Sequence, residues 1–386
     1  MAIYLDHAAT TPMVEACTQA VIRQLKVLGN PSSLHTFGRA ARKELERARE
    51  IIARHVDCHP SEIIFTGSGT EADNTALKGL FWRGKAHGRN VVVISAIEHH
   101  AILDPAQWLT DHEGAEVILL DVDSNGLINL NQVRELLSHR ADEIAVISVM
   151  SANNETGVIQ PISEIVEIAS DYGVAVHSDA VQSFGKVPLS FSKLGLTAMT
   201  LSGHKIGGPL GIGILVLRKG FDIPALLHGG GQERDIRSGT FNAPSIVGFA
   251  TAVEEIFLDF VSHSLKVASL RVALESGIAA KMPDAYINGL SADRLPGIVN
   301  ATFPGTESDT LLLLLDAEGV ACSTGSACSA GVQRPSHVLL AMGHTDVSAR
   351  SSLRFSIGPS NTAEDIAQTL KLLPAVLTRA RAANLR

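Results

Sequence analysis

Short apolar runs recur through the middle of the chain, and several contain hardly a polar position. Ile63–Thr66, Val91–Ser95, Glu116–Asp121, Ile144–Met150, Val174–His177, Ala198–Leu201 and Ile212–Leu217 read as strands. Their β-branched, non-alternating character is that of strands covered on both faces. Between most of them lie stretches with helical spacing: Glu71–Ala86, Ala101–His112, Leu130–His139 and Ile162–Tyr172. Such alternation predicts an α/β fold, a mainly parallel sheet flanked by helices, with ligands at the carboxyl ends of the strands.

The pattern changes after Pro244. A long helical region, Ser245–Lys281, leads into a looser arrangement with strands at Ile298–Phe303 and Leu353–Ile357. Helices are expected there at Thr310–Glu318, Ser336–Met342 and Ala363–Arg379. The expectation is a large unit over residues 13–260 and a smaller α+β unit formed by residues 1–12 and 261–386.

Composition narrows the classes. With 386 residues, 45% hydrophobic and 19% charged, the chain is too apolar for a disordered protein. A compact monomer of this size buries ~75% of its unfolded surface, so it needs no disulfide staples. The 32 basic and 40 acidic residues leave a net charge of −8, and the densest basic stretch, Arg39–Arg54, is interleaved with Glu44, Glu46 and Glu50. This reads as a solvated helix face, not a phosphate-tracking patch, so nucleic acid is not expected as a direct ligand. No apolar run approaches the ~20 residues a membrane span needs. Asp6 and His7 stand where a secretory leader would be basic and then apolar, and a cytoplasmic location is expected. The cysteines Cys17, Cys58, Cys322 and Cys328 form no CxxC pair, and no HExxH motif exists, so a metal site is not expected.

Asp179, just after an apolar run, could be a helix cap. A buried carboxylate at a strand end otherwise calls for a cationic partner. Lys205, in Ser202-Gly203-His204-Lys205 after the next run, sits among glycines that let a bulky group approach its amine. A lysine able to form a Schiff base, with an aspartate to hold a pyridine nitrogen protonated, is the minimal kit for pyridoxal phosphate. Gly67-Ser68-Gly69-Thr70-Glu71 lies between a strand and a helix, where backbone N–H groups bind anions. It also matches a relaxed dinucleotide fingerprint, but the next strand ends in Ser95 and not in a ribose-binding acid. Donors at Thr70, Ser202 and His204 suit a single phosphate better. His99, in Glu98-His99-His100, could stack on a planar cofactor and handle protons, whereas His100 reads as a surface residue. Cys328 lies in the small-residue stretch Cys322–Gly331, which is too slight to pack a core; it is the candidate nucleophile. Cys322 reads as a strand-end thiol.

Taken together, these residues resemble the NifS/IscS-type (group I) cysteine desulfurases, in the class V aminotransferase family of fold-type I pyridoxal-phosphate enzymes. The resemblance runs through Tyr4–Pro12, Gly29–Ser33, Phe65–Asn74, Asn153–Gly157, Ser178–Gln182, Ser202–Lys205, Gly229–Thr240 and Ser323–Cys328. It implies that Lys205 holds the cofactor, Asp179 pairs with its ring nitrogen, Gln182 contacts its phenolic oxygen and His99 stacks on it. Gly69, Thr70, Ser202 and His204 would bind the phosphate, with Thr240 reaching in from a second subunit of a homodimer. Asn154 and Arg354 would take the substrate carboxylate. The implied reaction turns L-cysteine into L-alanine and leaves sulfur as a persulfide on Cys328, for delivery to an acceptor such as an iron–sulfur scaffold protein. Leu210, Asp235 and Phe241 depart from the usual motifs. Another class V enzyme, a selenocysteine lyase or an aminotransferase, would share the Asp179/Lys205 pair, but an aminotransferase has no use for a nucleophilic cysteine. A non-catalytic sulfur carrier would have no reason to keep Lys205, Asp179, His99 and Gln182 together.

Overall fold

In the run Val91–Ser95 every residue is buried. Val91 and Val93 nevertheless join the core on one side of a sheet, and Val92 and Ile94 the core on the other. Successive strand residues point to opposite faces, so a strand with helices on both sides needs apolar residues throughout. Ile63 and Phe65 divide from Ile64 in the same way, as do Ile214 and Val216 from Leu215 and Leu217.

The structure is a computed structural model, and it describes residues 2–325 and 334–384. In chain order its strands are β1 (Ile3–Tyr4), β2 (Ile63–Thr66), β3 (Val91–Ser95), β4 (Glu116–Leu120), β5 (Ile144–Ser148) and β6 (Ala175–Asp179). There follow β7 (Ala198–Ser202), β8 (Gly213–Leu217), β9 (Tyr286–Ile287), β10 (Ile298–Thr302), β11 (Val320–Ala321) and β12 (Ser352–Ser356). The main sheet runs in the order β2-β8-β7-β6-β5-β3-β4. Its β4-β3-β5-β6-β7 part is parallel, and only β8 runs against both of its neighbours. The expected α/β sheet is therefore present, with one reversed strand.

Helices Thr36–Val56, Ile162–Ser170 and Ala243–Leu258 cover one face, and Gly69–Lys85 with His100–Glu113 the other. The helix expected from Glu71 begins at Gly69, because the Ser68 side chain accepts the Glu71 N–H at 3.0 Å and caps it. The helical region read as continuous from Ser245 to Lys281 is two helices, Ala243–Leu258 and Phe260–Lys281. They part at Asp259, whose φ of −125° and ψ of 34° are not helical.

A separate core gathers Leu270, Leu274, Val299, Phe303, Leu315, Phe355 and Leu373 around the antiparallel sheet β12-β10-β9. Ile3 and Leu5 belong to this core, and β1 pairs in parallel with β11. The chain then crosses to the main sheet, where the Thr11 N–H reaches the His204 carbonyl at 2.9 Å. Residues 6–11 thus lie against the carboxyl ends of the central strands. No helix among the described residues is long and apolar enough to cross a membrane.

Candidate active site

Five strands of the main sheet deliver their carboxyl ends to one cleft of about 530 Å³, within the usual range of ligand pockets. β2 is followed by Ser68, Gly69 and Thr70; β3 by His99; β5 by Asn154; β6 ends in Asp179 and leads to Gln182; β7 ends in Ser202 and leads to His204 and Lys205. Arg354, on β12, closes the cleft from the smaller core.

Lys205 sits in the tight turn Gly203–Ile206, which ends at Gly207 in a left-handed conformation (φ 79°). Its ammonium donates to the carbonyls of Ala8 and Ala9, at 2.7 and 2.8 Å. Burial, reinforced by the Arg354 charge, lowers its pKa to about 8, against the opposing pull of Asp179 and Asp6. Asp179 accepts the Val181 N–H at 2.8 Å, but burial outweighs that bond and raises its carboxyl to about 6. Beneath it lies Asp73, buried and pushed well above the ordinary carboxylate range by desolvation and by Asp179. A pair of carboxyls in this state favours any cation that enters the cleft.

His99 caps the helix His100–Glu113: its Nδ1 accepts the Ala101 N–H at 3.1 Å. The surrounding protein, then Lys205, His100 and His337, lower its pKa to about 4. The ring still opens onto the cleft and is exposed there. A neutral imidazole whose Nδ1 accepts must carry its proton on Nε2. Gln182 donates through Nε2 to the Ala8 carbonyl at 2.9 Å.

At the other end of the cleft the helix Gly69–Lys85 presents its N-terminus beside Ser202 and His204. A Cβ on Gly69 would lie 3.1 Å from Val181 and 3.3 Å from Ser202, and one on Gly213 would come within 2.3 Å of the Ser68 carbonyl. Glycine at both positions keeps this corner open and close-packed. Desolvation lowers His204 to about 4.

Arg354 is almost wholly buried; it donates to Asp6 at 2.8 Å and to the Asn154 carbonyl at 3.0 Å. Its Nε has no hydrogen-bond partner among the described residues. Thr240 is not in the cleft; it is exposed and lines a surface hollow with Leu25, Leu28 and Phe37. Cys328 lies outside the described residues. Cys322 is buried beside β11, and desolvation pushes its thiol up to about 12, which disfavours its thiolate at neutral pH. Cys58 is partly buried and follows the left-handed Asp57 that ends the helix Thr36–Val56.

Several participants escaped sequence reasoning. The Ala8 and Ala9 carbonyls hold Lys205, and a carbonyl leaves no residue-type signal. Asp6 pairs with Arg354 from the opposite end of the chain. Glu233 takes both Nη atoms of Arg49, at 3.0 and 2.7 Å, and the Phe65 N–H, while Arg237 meets Glu71 at 2.8 Å. These bonds fasten the Gly229–Thr240 segment to β2 and to the start of the helix Gly69–Lys85. Glu155 bonds Ser336 at 2.5 Å and stands against Gly325, so it touches the chain on both sides of residues 326–333.

Residues 3–369 match the family model "Aminotransferase class-V", and the chain belongs to that family. An IscS-like cysteine desulfurase of Mycobacterium tuberculosis is 48% identical over 385 residues, covering 99% of this chain and 98% of that protein. A solved NifS-like protein superposes with a TM-score of 0.90 at 35% identity, over 98% of this chain and 100% of that one. A solved structure titled SspA in complex with cysteine gives a TM-score of 0.79 at 31% identity, over 93% and 99% of the two chains.

Proposed function

We propose that the protein is a pyridoxal-phosphate-dependent cysteine desulfurase: it converts L-cysteine to L-alanine and passes the sulfur to Cys328. The observation that carries the cofactor assignment is the facing pair in the cleft. Asp179 is a buried carboxyl in want of a cation, and Lys205 is an amine with its pKa lowered to about 8. The glycine-lined helix N-terminus fits the phosphate. Relatives named cysteine desulfurase over nearly the full chain support the reaction.

Lys205 would hold the cofactor, Asp179 its ring nitrogen, Gln182 its phenolic oxygen, and Gly69, Thr70, Ser202, His204 and a second subunit's Thr240 its phosphate. Bound there, the cofactor supplies an electron sink for the bond at the substrate's α-carbon. Arg354 and Asn154, both lining the cleft, would orient the carboxylate of cysteine. His99 would pack against the ring as a neutral imidazole. Once displaced by substrate, the Lys205 amine is basic enough to take the α-proton near neutral pH. The Cys328 thiolate then attacks the substrate sulfur. A sulfur–sulfur bond forms, the carbon–sulfur bond breaks with its electron pair left on the three-carbon fragment, and that carbon is protonated on the way to alanine.

The same reading includes the two-unit organisation, residues 13–260 and residues 1–12 with 261–386, with the cleft between them. It also includes a cytoplasmic homodimer that hands sulfur to an acceptor protein such as an iron–sulfur scaffold. The exposed Leu25, Leu28, Leu34 and Phe37, clustered near Thr240, support a second copy as the partner of that face. The test is to incubate the holoenzyme with L-cysteine and a reductant and to measure alanine and sulfide together. Equal amounts from wild type and none from Cys328→Ala support the assignment. Neither alanine nor sulfide from cysteine, with other amino acids turned over by the yellow protein, overturns it in favour of a transaminase.

A further inference from the structure

Between the cleft and the smaller core lies a second cavity of about 220 Å³, and one of its walls carries a lysine that the mechanism above does not use. Lys186 donates from Nζ to Gln182 Oε1 at 2.8 Å, one turn further along the irregular helical segment that follows β6. Gln182 lines the cleft, Lys186 lines the cavity behind it, and Lys205 and Ala8 border both.

The amide of Gln182 is held from two sides by groups of opposite kind. Burial lowers the Lys186 pKa to about 7, and the ammonium present below that value donates to the oxygen; the Ala8 carbonyl can only accept, so the atom facing it must be the nitrogen. Oε1 is thus turned toward Lys186, and one Nε2 hydrogen remains for the cleft. Without Lys186 the Ala8 bond alone would hold the amide, and its plane would be less firmly fixed.

We propose that Lys186 is a positioning residue: together with the Ala8 carbonyl it holds the Gln182 amide so that Nε2 donates toward the phenolic oxygen of the bound cofactor. This rests on the cofactor assignment above. Once Lys205 held the cofactor, the nitrogen linking them would be the neighbour of that oxygen. A donor on the oxygen draws off electron density and lowers the nitrogen's proton affinity. Its loss must therefore move the protonation midpoint of the bound cofactor to higher pH. The charged and titratable groups that face Lys186 are Lys205, Arg354 and His7 on the cleft side and Glu255 and His263 across the cavity.

The test is a pH titration of the visible absorbance of the cofactor-loaded protein, in wild type, Lys186→Met, Lys186→Arg, Gln182→Met and the double variant. A yellow wild type with a measurable midpoint establishes the cofactor assignment independently; a colourless one would sink that assignment first. Lys186→Met should raise the midpoint by about one unit, a tenfold change in proton affinity. Lys186→Arg should restore it. In the Gln182→Met background, Lys186→Met should add almost nothing, because its effect travels through the amide. An equal shift in both backgrounds would mean that Lys186 acts by charge alone and would overturn the proposal, as would a wild-type midpoint in Lys186→Met. If Lys186→Met fails to fold, the comparison is carried by Lys186→Arg and Lys186→Gln, both of which keep a donor. Wild-type amide function in neither would likewise overturn it.

Discussion

Arg354 and Asp6 meet at 2.8 Å across a sequence separation of 348 residues, and the contact joins β12 to the segment that also holds Lys205. Asp6 neutralises the guanidinium while the Asn154 carbonyl takes a second donor. These bonds fix the plane of a guanidinium that, on the function proposed above, would meet the carboxylate of cysteine. Lysine cannot reproduce its planar geometry. Arg354→Lys is expected to raise KM for cysteine about 10- to 100-fold, the loss of one or two charge-assisted bonds, with a smaller effect on kcat. Initial rates over a cysteine series check this, and an unchanged KM contradicts it.

The Lys205 amine must be neutral to react with the cofactor aldehyde, and its pKa is about 8 in the cofactor-free protein. The rate at which apoprotein takes up pyridoxal phosphate should climb with pH through about 8 and level above it. Arg354 is one cause of the lowered value, so removing its charge with Arg354→Met should displace the profile toward higher pH. Rapid mixing with visible detection gives both curves. A profile that Arg354→Met leaves in place would contradict the assigned cause.

Asp179 carries a cost that its function explains. Its folded pKa, about 6, lies above the ordinary value of 3.8, so between those pH values the folded state binds the more protons. Stability of the cofactor-free protein should therefore rise as pH falls from about 6 toward 4, against any general acid effect. The carboxylate is a net liability at pH 7. Asp179→Asn is expected to stabilise the apoprotein there by ~1–3 kcal/mol while weakening cofactor retention more than tenfold. Urea denaturation and equilibrium dialysis measure the two effects, and a destabilised apo variant would contradict the first.

Cys322 tests the choice of nucleophile. It packs in the core with Ile3, Leu5 and Val320, and its thiol is raised to about 12, chiefly by burial. Cys322→Ala should cost about 1 kcal/mol of stability and leave sulfur release within about twofold of wild type. Loss of sulfide from this variant, with the fold intact by circular dichroism, would move the sulfur-accepting role to Cys322.

The sheet was legible in the sequence wherever a strand is buried on both faces. β3, β5 and β8 announce themselves because each must supply apolar side chains to two cores. Their spatial order was not legible, because nothing in the composition of a strand says which neighbour it pairs with. The two-residue strands β1, β9 and β11 are too short to carry a period. The break at Asp259 was invisible because no glycine or proline marks it. In the site, Lys205, Asp179, His99 and Arg354 were readable because their side chains carry the chemistry. The Ala8 and Ala9 carbonyls were not, since every residue has one. Lys186 was missed because its meaning lies in the orientation it imposes on Gln182, and only geometry records that.

The central claim is that sulfur passes from substrate to Cys328, and the most direct measurement is the mass of the protein after exposure to L-cysteine without reductant, followed by peptide mapping. The account predicts a gain of one sulfur atom per chain, carried by the peptide that contains Cys328 and absent from Cys328→Ala. A sulfur found on Cys17, Cys58 or Cys322, or alanine formed while no chain gains mass, would contradict it.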